Sequence, residues 1–240
     1  MDYLLPPLCL LCGQLANSSH ALCLKCQQEL PILPHCCEQC AQFLPFAAAK
    51  CGLCLQQPPL FSRTFALFPY ESPIDKWITQ LKFHHQLLYA SVFGNWMKEQ
   101  IEKHWYRNQA LPDLIIPIPL HRERLCARGF NQALEIARPI SRHLKIPIDY
   151  QSVTRHKATL AQSGLTAAER KLNITNAFTS STNYQGLKIA LLDDVITTAA
   201  TVRECAKKLQ ENGAAHIDLW CVARNGNRQE NTVAESDQTR

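Results

Sequence analysis

The sequence predicts an α/β fold, a mostly parallel sheet with helices on both faces, behind a small cysteine-rich unit at the N-terminus. Three observations predict it. After residue 60, short apolar runs of strand length alternate with apolar stripes of helical period. Four Cys-x-x-Cys pairs crowd into the first 54 residues, a stretch too short to fold around an apolar core without a staple. One apolar run ends in paired aspartates, then a hydroxyl-rich turn and a helical stripe, the order found where open α/β sheets bind ligands.

The elements follow in chain order. Residues 65–70 (FALFPY) read as a strand. Ser72-Pro73-Ile74-Asp75 reads as a helix start, with serine as N-cap, proline at N1 and an acid at N3. Ile74, Trp77, Ile78 and Leu81 then give an apolar stripe, and Phe93, Met97, Ile101 and Trp105 a second. Residues 113–119 (DLIIPIP) fit a buried strand. Ala133, Ala137, Ile140 and Leu144 mark a third helix, with Pro139 as an expected kink. Residues 187–192 (LKIALL) form another buried strand ending in Asp193-Asp194. Val202, Cys205, Ala206 and Leu209 mark a helix stopped by Asn212-Gly213, and residues 216–223 (HIDLWCVA) a last strand. The expected division is 1–60 for the cysteine-rich unit, 61–225 for the α/β domain and 226–240 for a disordered polar tail.

Composition excludes several classes. The 240 residues are 46% apolar, so a packed core is expected, and 19% charged, too few for a coiled coil. No apolar run reaches the roughly 18 residues of a membrane helix. The start, Met1-Asp2-Tyr3-Leu4-Leu5-Pro6-Pro7, lacks the basic region of a signal peptide, so the expected location is the cytoplasm. Net charge is +5, concentrated in residues 121–171, which hold ten Lys or Arg against four acids. By itself such a stretch is often just a solvated face.

In a reducing compartment, paired cysteines point to metal rather than disulfides. Cys9, Cys12, Cys23 and Cys26 recur 28 positions later as Cys37, Cys40, Cys51 and Cys54, each unit reading C-x2-C-x10-C-x2-C. Gln14 aligns with Gln42, Gln28 with Gln56 and Pro31 with Pro59. Two such knuckles supply four thiolates, the closed tetrahedral set of a structural zinc site with no open position for water. One or two Zn2+ ions are expected. Spacing leaves open whether each repeat holds its own ion or the repeats exchange knuckles. Cys36, His20 and His35 fall outside the register, and redox Cys-x-x-Cys chemistry is the weaker alternative.

Residues 191–201 (LLDDVITTAAT) carry the remaining chemistry. Amides and threonine hydroxyls at a helix N-terminus donate to a phosphate, and the helix dipole favours the anion. Carboxylates beside them accept from ribose hydroxyls or hold Mg2+. The bland alternative is a capping pair on a solvated edge. No catalytic residue emerges, since order alone makes no Ser-His-Asp or Cys-His set.

This loop resembles the phosphoribosyl-pyrophosphate (PRPP) motif of type I phosphoribosyltransferases. With Leu81-Lys82-Phe83, Arg128-Gly129-Phe130-Asn131-Gln132, the segment from Gln162 through Arg170 to Asn173 and the doubled cysteine unit, the chain resembles the ComF family over about residues 9–224. The resemblance implies a type I phosphoribosyltransferase-like sheet behind a double zinc ribbon. It implies that Asp193 and Asp194 hold the ribose diol. It implies that Thr197, Thr198, Ala199, Ala200 and Thr201 cradle the 5′-phosphate. It also implies that Lys82 and the loop from His121 to Arg124 face pyrophosphate and that Arg128, Asn131, Gln132, Gln162 and Arg170 form the pocket or its lid. The family pattern has glycine after the paired threonines where this chain has Ala199. At negative φ alanine changes little, whereas at positive φ it costs on the order of 1 kcal/mol.

Two functions follow as expectations. One is binding of PRPP or a related ribose 5-phosphate with Mg2+, in a role in DNA uptake. The transferase chemistry it implies is exchange at ribose C1, with an unread acceptor. The other is a non-catalytic adaptor that binds single-stranded DNA, and DNA-uptake proteins, through the ribbon and the basic face.

Overall fold

The computed structural model describes residues 8–16, 21–157 and 176–226. The sheet has four parallel strands: β1 (Arg63–Pro69), β2 (Leu114–Pro117), β5 (Lys188–Ile196) and β6 (His216–Arg224). Their spatial order is β1-β6-β5-β2. A second, two-stranded antiparallel sheet pairs β3 (Val153–Arg155) with β4 (Phe178–Ser180). No strand was expected at either position. Both are three residues long, which leaves no period to read.

The central strands β5 and β6 are buried on both faces, as near-continuous apolar runs demand, whereas the edge strand β1 is mostly half-buried. In β5, Ala190 and Leu192 face one core and Ile189 and Leu191 the other. In β6, Trp220 and Val222 divide from Leu219 and Cys221 in the same way. The first core takes in the helices α3 (Ile74–His84), α4 (Leu88–Gln100) and α6 (Gln132–Leu144), through Trp77, Phe93, Met97, Ile136 and Ile140. The second takes in α7 (Ala200–Glu211) through Val202, Cys205, Ala206 and Leu209. Helices therefore cover both faces, and among the described residues no helix is long and apolar enough to cross a membrane.

One local expectation is corrected. Helix α3 begins at Ile74 with Pro73 as its N-cap, and among the described residues no side chain caps it, so Ser72 is not the cap. Helix α6 is continuous through Pro139, which serves as a packing surface. A Cβ on Gly94 of α4 would lie 2.3 Å from Pro139 Cγ and 2.6 Å from the Ile136 carbonyl oxygen, so only glycine admits this helix contact. A further helix, α5 (Arg122–Arg128), was not expected. It exposes most of its residues and buries none, and a helix without an apolar stripe leaves no periodic signal.

The duplication in sequence is a duplication in structure. Short helices α1 (Leu24–Gln28) and α2 (Gly52–Gln56) start from Cys23 and Cys51, whose backbone angles agree within 5°. The bridge Leu8–Leu15 recurs as Cys36–Phe43, and the bond from Cys9 N to the Gln14 carbonyl recurs from Cys37 N to that of Gln42. The two repeats use opposite sides of the sheet. Cys9, Leu22 and Cys26 join the core of α3, α4 and α6, while Cys37, Cys40, Cys51 and Cys54 join the core of α7.

Candidate functional site

Each repeat gathers its own four thiols. Cys9, Cys12, Cys23 and Cys26 form one group and Cys37, Cys40, Cys51 and Cys54 the other, with the sulfurs of each group within 4.8 Å of one another. The Cys12 and Cys23 sulfurs are 3.6 Å apart and those of Cys40 and Cys51 3.7 Å. Four sulfurs 2.3 Å from a tetrahedral zinc ion stand about 3.8 Å apart, so both groups fit the ion, and the repeats do not exchange knuckles. Burial acts to raise the Cys9 thiol, but the backbone amides of Cys12, Cys23 and Leu11 overcome it and bring it down to about 6. Cys37 is brought down to about 7 against burial by the amides of Cys51, Cys40 and Gln39. Neither His35 nor Cys36 belongs to a group among the described residues, which do not include His20.

At the carboxyl end of the sheet lies a cavity of 270 Å³. Strand β5 carries Asp193 and Asp194 to its wall, the turn at Thr197 and Thr198 rounds its edge, and α7 opens into it. Among the described residues no side chain caps α7, and its first turn holds no acid, so the positive end of its dipole at the cavity has no local counter-charge from the helix itself. Ala199 is the N-cap at φ 58° and ψ 7°, the left-handed region. The positive-φ case therefore holds.

Lys82, in the last turn of α3, places Nζ 2.5 Å from Asp194 Oδ2, and Asp194 is buried. Burial works against the Lys82 ammonium, but Asp194 and Asp193 outweigh it and hold it above the ordinary lysine value. Burial and then the Asp194 charge push Asp193 well up, with Lys82 offsetting part of the rise. Facing the carboxylates are three guanidiniums, Arg124, Arg128 and Arg155. Burial lowers Arg128 and Arg155, and the charge of Arg124 lowers both further. Crowded cations with depressed pKa values gain from an anion among them.

Of the residues expected in the pocket, Lys82, Arg128, Asn131 and Gln132 all line this cavity together with Asp193, Asp194 and the turn. Asn131 also has a structural use. Its Oδ1 accepts from the amides of Ala133 and Leu134, and its Nδ2 donates to the Ile118 carbonyl. Gln132 is buried, and its Oε1 has no hydrogen-bond partner among the described residues. Within the loop expected to face pyrophosphate, Arg124 reaches the cavity, whereas His121 caps α5 and Arg122 and Glu123 are exposed. Gln162 and Arg170 lie outside the described residues, as do positions 227–240 of the expected tail. Arg155 and Tyr70 were missed. Arg155 arrives through a parallel bridge between its backbone and that of His121, a pairing with no local signature.

At the opposite end of the sheet, Ser62 Oγ lies 3.1 Å from His216 Nδ1, and His216 Nε2 lies 2.9 Å from Asp218 Oδ1. The buried Asp218 carboxylate is also held by Arg63 at 3.1 Å and by the Tyr106 hydroxyl at 2.6 Å. That shared charge makes the group a fastening between strands rather than a catalytic triad.

Replacing Ala199 with glycine removes a Cβ from a left-handed position, a relief of about 1 kcal/mol. The expected result is a Tm raised by about 2–4 °C in a thermal melt. An unchanged Tm would show that the turn carries no strain.

Two family models and several known proteins match the chain. Residues 1–55 match the model of the double zinc ribbon domain, and residues 131–238 that of the phosphoribosyl transferase domain. The DNA utilization protein YhgH of Shigella flexneri is 38% identical over 169 residues, 70% of this chain and 74% of that protein. Competence protein F of Haemophilus influenzae is 34% identical over 70% of this chain and 75% of its own length. Competence protein ComFC of Streptococcus pneumoniae is 26% identical over 66% and 67%. Among solved structures, a purine phosphoribosyltransferase from Pyrococcus horikoshii is similar with a TM-score of 0.34 and 13% identity, covering 67% of this chain and 77% of that one.

Proposed function

Because the chain belongs to the ComF family, with its double zinc ribbon and type I phosphoribosyltransferase fold, we propose that its cavity binds PRPP or a related ribose 5-phosphate and that the protein serves DNA uptake or use. One observation carries the binding reading. Asp193 and Asp194, the open N-terminus of α7, and the side chains of Lys82, Arg124, Arg128 and Arg155 all line a single cavity. The α7 amides and Thr197, Thr198 and Thr201 donate to the 5′-phosphate, and the carboxylates accept from the ribose hydroxyls. The guanidiniums take the pyrophosphate.

Asp193 and Asp194 suit Mg2+ brought with the ligand, being hard oxygen donors. Burial is the main cause of the upward push on Asp193, and the part that comes from the Asp194 charge is what a second cation would offset. When bound, Mg2+ supplies charge neutralisation at the diol and pyrophosphate. The same geometry serves displacement at ribose C1. The C1–O bond to pyrophosphate breaks, the acceptor bonds to C1, and the three arginines stabilise the growing charge on the leaving group. The DNA role rests on the relatives named for DNA utilization and competence.

A second reading, single-stranded DNA binding, is favoured by the exposed Arg138 and Arg142 of α6 and Lys145 directly after it. Calorimetry with PRPP and Mg2+, beside an oligonucleotide, at about 50 and about 200 mM salt separates the two. PRPP is expected to bind at both. DNA affinity is expected to fall steeply with salt if phosphate contacts carry it, and to weaken further on charge reversal at Arg122, Arg124 and Arg128. If neither the natural protein nor Ala199→Gly binds any phosphorylated sugar, the pocket reading fails.

A further inference from the structure

Arg224 closes strand β6 with its guanidinium buried behind the turn, outside the cavity lining. Its donors divide between two parts of the molecule. Toward the second cysteine repeat, Nε donates to the Cys40 carbonyl at 3.1 Å and Nη2 to Gln42 Oε1 at 3.1 Å. Toward the turn, Nη1 donates to the Ile196 carbonyl at 2.9 Å and to the Thr197 carbonyl. Nη1 also donates to the Asn225 carbonyl at 2.7 Å. In a trans peptide the C=O and N–H point in opposite directions. Holding the Ile196 and Thr197 carbonyls from behind therefore turns the amides of Thr197 and Thr198 away from Arg224, toward the cavity those residues line.

The second repeat is fastened to the sheet at further points. Thr64 Oγ1 donates to the Gln39 carbonyl at 2.8 Å, Thr64 N to that of Glu38 at 3.2 Å, and Gln39 Nε2 to that of Phe61 at 3.3 Å. The Phe43 ring lies so close to Gly226 that a Cβ there would come within 2.3 Å. The first repeat offers a built-in contrast. Its counterparts of Cys40 and Gln42 are Cys12 and Gln14, both exposed.

We propose that Arg224 is a positioning residue that makes the conformation of the turn at 196–199 depend on the metal in the Cys37, Cys40, Cys51 and Cys54 quartet, and not on the metal in the first. The proposal rests on the phosphate reading of the cavity for its functional meaning. Its mechanical content stands apart from that reading. The Cys37–Cys40 knuckle holds its carbonyl and the Gln42 side chain in place only while the thiolates are ligated. Arg224 passes that order to the turn, since a planar fork keeps several acceptors in one fixed relation.

Hydrogen exchange on the full, zinc-loaded chain tests it, read on a peptide spanning 193–202 against strand β2 as an internal standard. In Arg224→Lys, which keeps the charge and loses the fork, exchange at the turn is expected to rise about tenfold with two zinc ions still bound. Cys54→Ser is expected to do the same, while Cys26→Ser, its counterpart in the first repeat, leaves the turn as in the natural protein. Ribose 5-phosphate affinity is expected to fall in the same variants, by about tenfold. A turn that exchanges at the natural rate in Arg224→Lys and Cys54→Ser, with β2 protected, would overturn the proposal. So would an equal response to both cysteine variants. If the turn responds as expected but the natural protein binds no ribose 5-phosphate, the ligand reading fails and the coupling stands.

Discussion

Removing zinc is expected to unfold the first 56 residues and to lower the Tm of the rest of the chain. Purified protein should contain two zinc ions, because each repeat gathers its own four thiols. Structural zinc contributes on the order of 10–16 kcal/mol at neutral pH, comparable with the whole stability of a domain. Without the ion, burial and the neighbouring thiols push Cys26 and Cys54 far up, so the four sulfurs of a group cannot all ionise and two short helices are left to hold the loops. The damage spreads because the repeats are not separate bodies. Leu22 and Cys26 lie in the same core as Trp77 and Phe93, and Cys51 and Cys54 in that of Val202 and Cys205. Circular dichroism melts before and after chelation, with metal analysis of each sample, read this directly. An unchanged melting curve in metal-free protein would refute it.

Replacing Lys82 by methionine is expected to cause the largest loss of any single change in the cavity. It removes the cation 2.5 Å from the buried Asp194 and leaves the aspartate pair without its near counter-charge. Breaking a buried pair from one side costs about 3–5 kcal/mol where the remaining charge has no other partner. The sign of the pH effect follows from Asp193. Burial and Asp194 already hold its carboxyl above the ordinary range, and Lys82 pulls it part of the way back. With Lys82 gone, Asp193 rises further and stays protonated to higher pH, where it no longer accepts from a ribose hydroxyl as a carboxylate does. Affinity for PRPP should fall by about 100-fold near neutral pH and recover in part as pH rises. Calorimetry between pH 6 and pH 9 checks both parts. Natural affinity in Lys82→Met would place the ion pair outside the binding machinery.

Both experiments act on residues whose types are visible in the sequence and whose neighbours are not. The four cysteine knuckles are legible because two residues between thiolates set a knuckle by chain geometry alone, and the 28-residue period repeats it, whereas which knuckles share an ion is decided by the structure. The order strand, Asp193-Asp194, threonine turn, helix is legible for the same reason, since each step spans one turn of chain. The periodic stripes of α3, α4, α6 and α7 and the apolar runs of β1, β2, β5 and β6 belong to this local class.

The rest depended on packing. Ser72 fails as a cap because α3 starts after Pro73, a boundary no propensity fixes. The sign of φ at Ala199 was open in the sequence, because alanine is allowed at either sign and the turn between β5 and α7 selects the costly one. Lys82 meets Asp194, Arg155 meets the cavity, and Arg224 meets Cys40 and Thr197 only because the strand order β1-β6-β5-β2 and the two cores bring distant segments together. The sequence by itself determined the four cysteine knuckles and the order strand, paired aspartates, threonine turn and helix, since ligand spacing and helix starts are short-range properties. Only the tertiary structure decided which charges face one another and which cysteine repeat stands behind the turn at 196–199, since those distances are set by how whole elements pack.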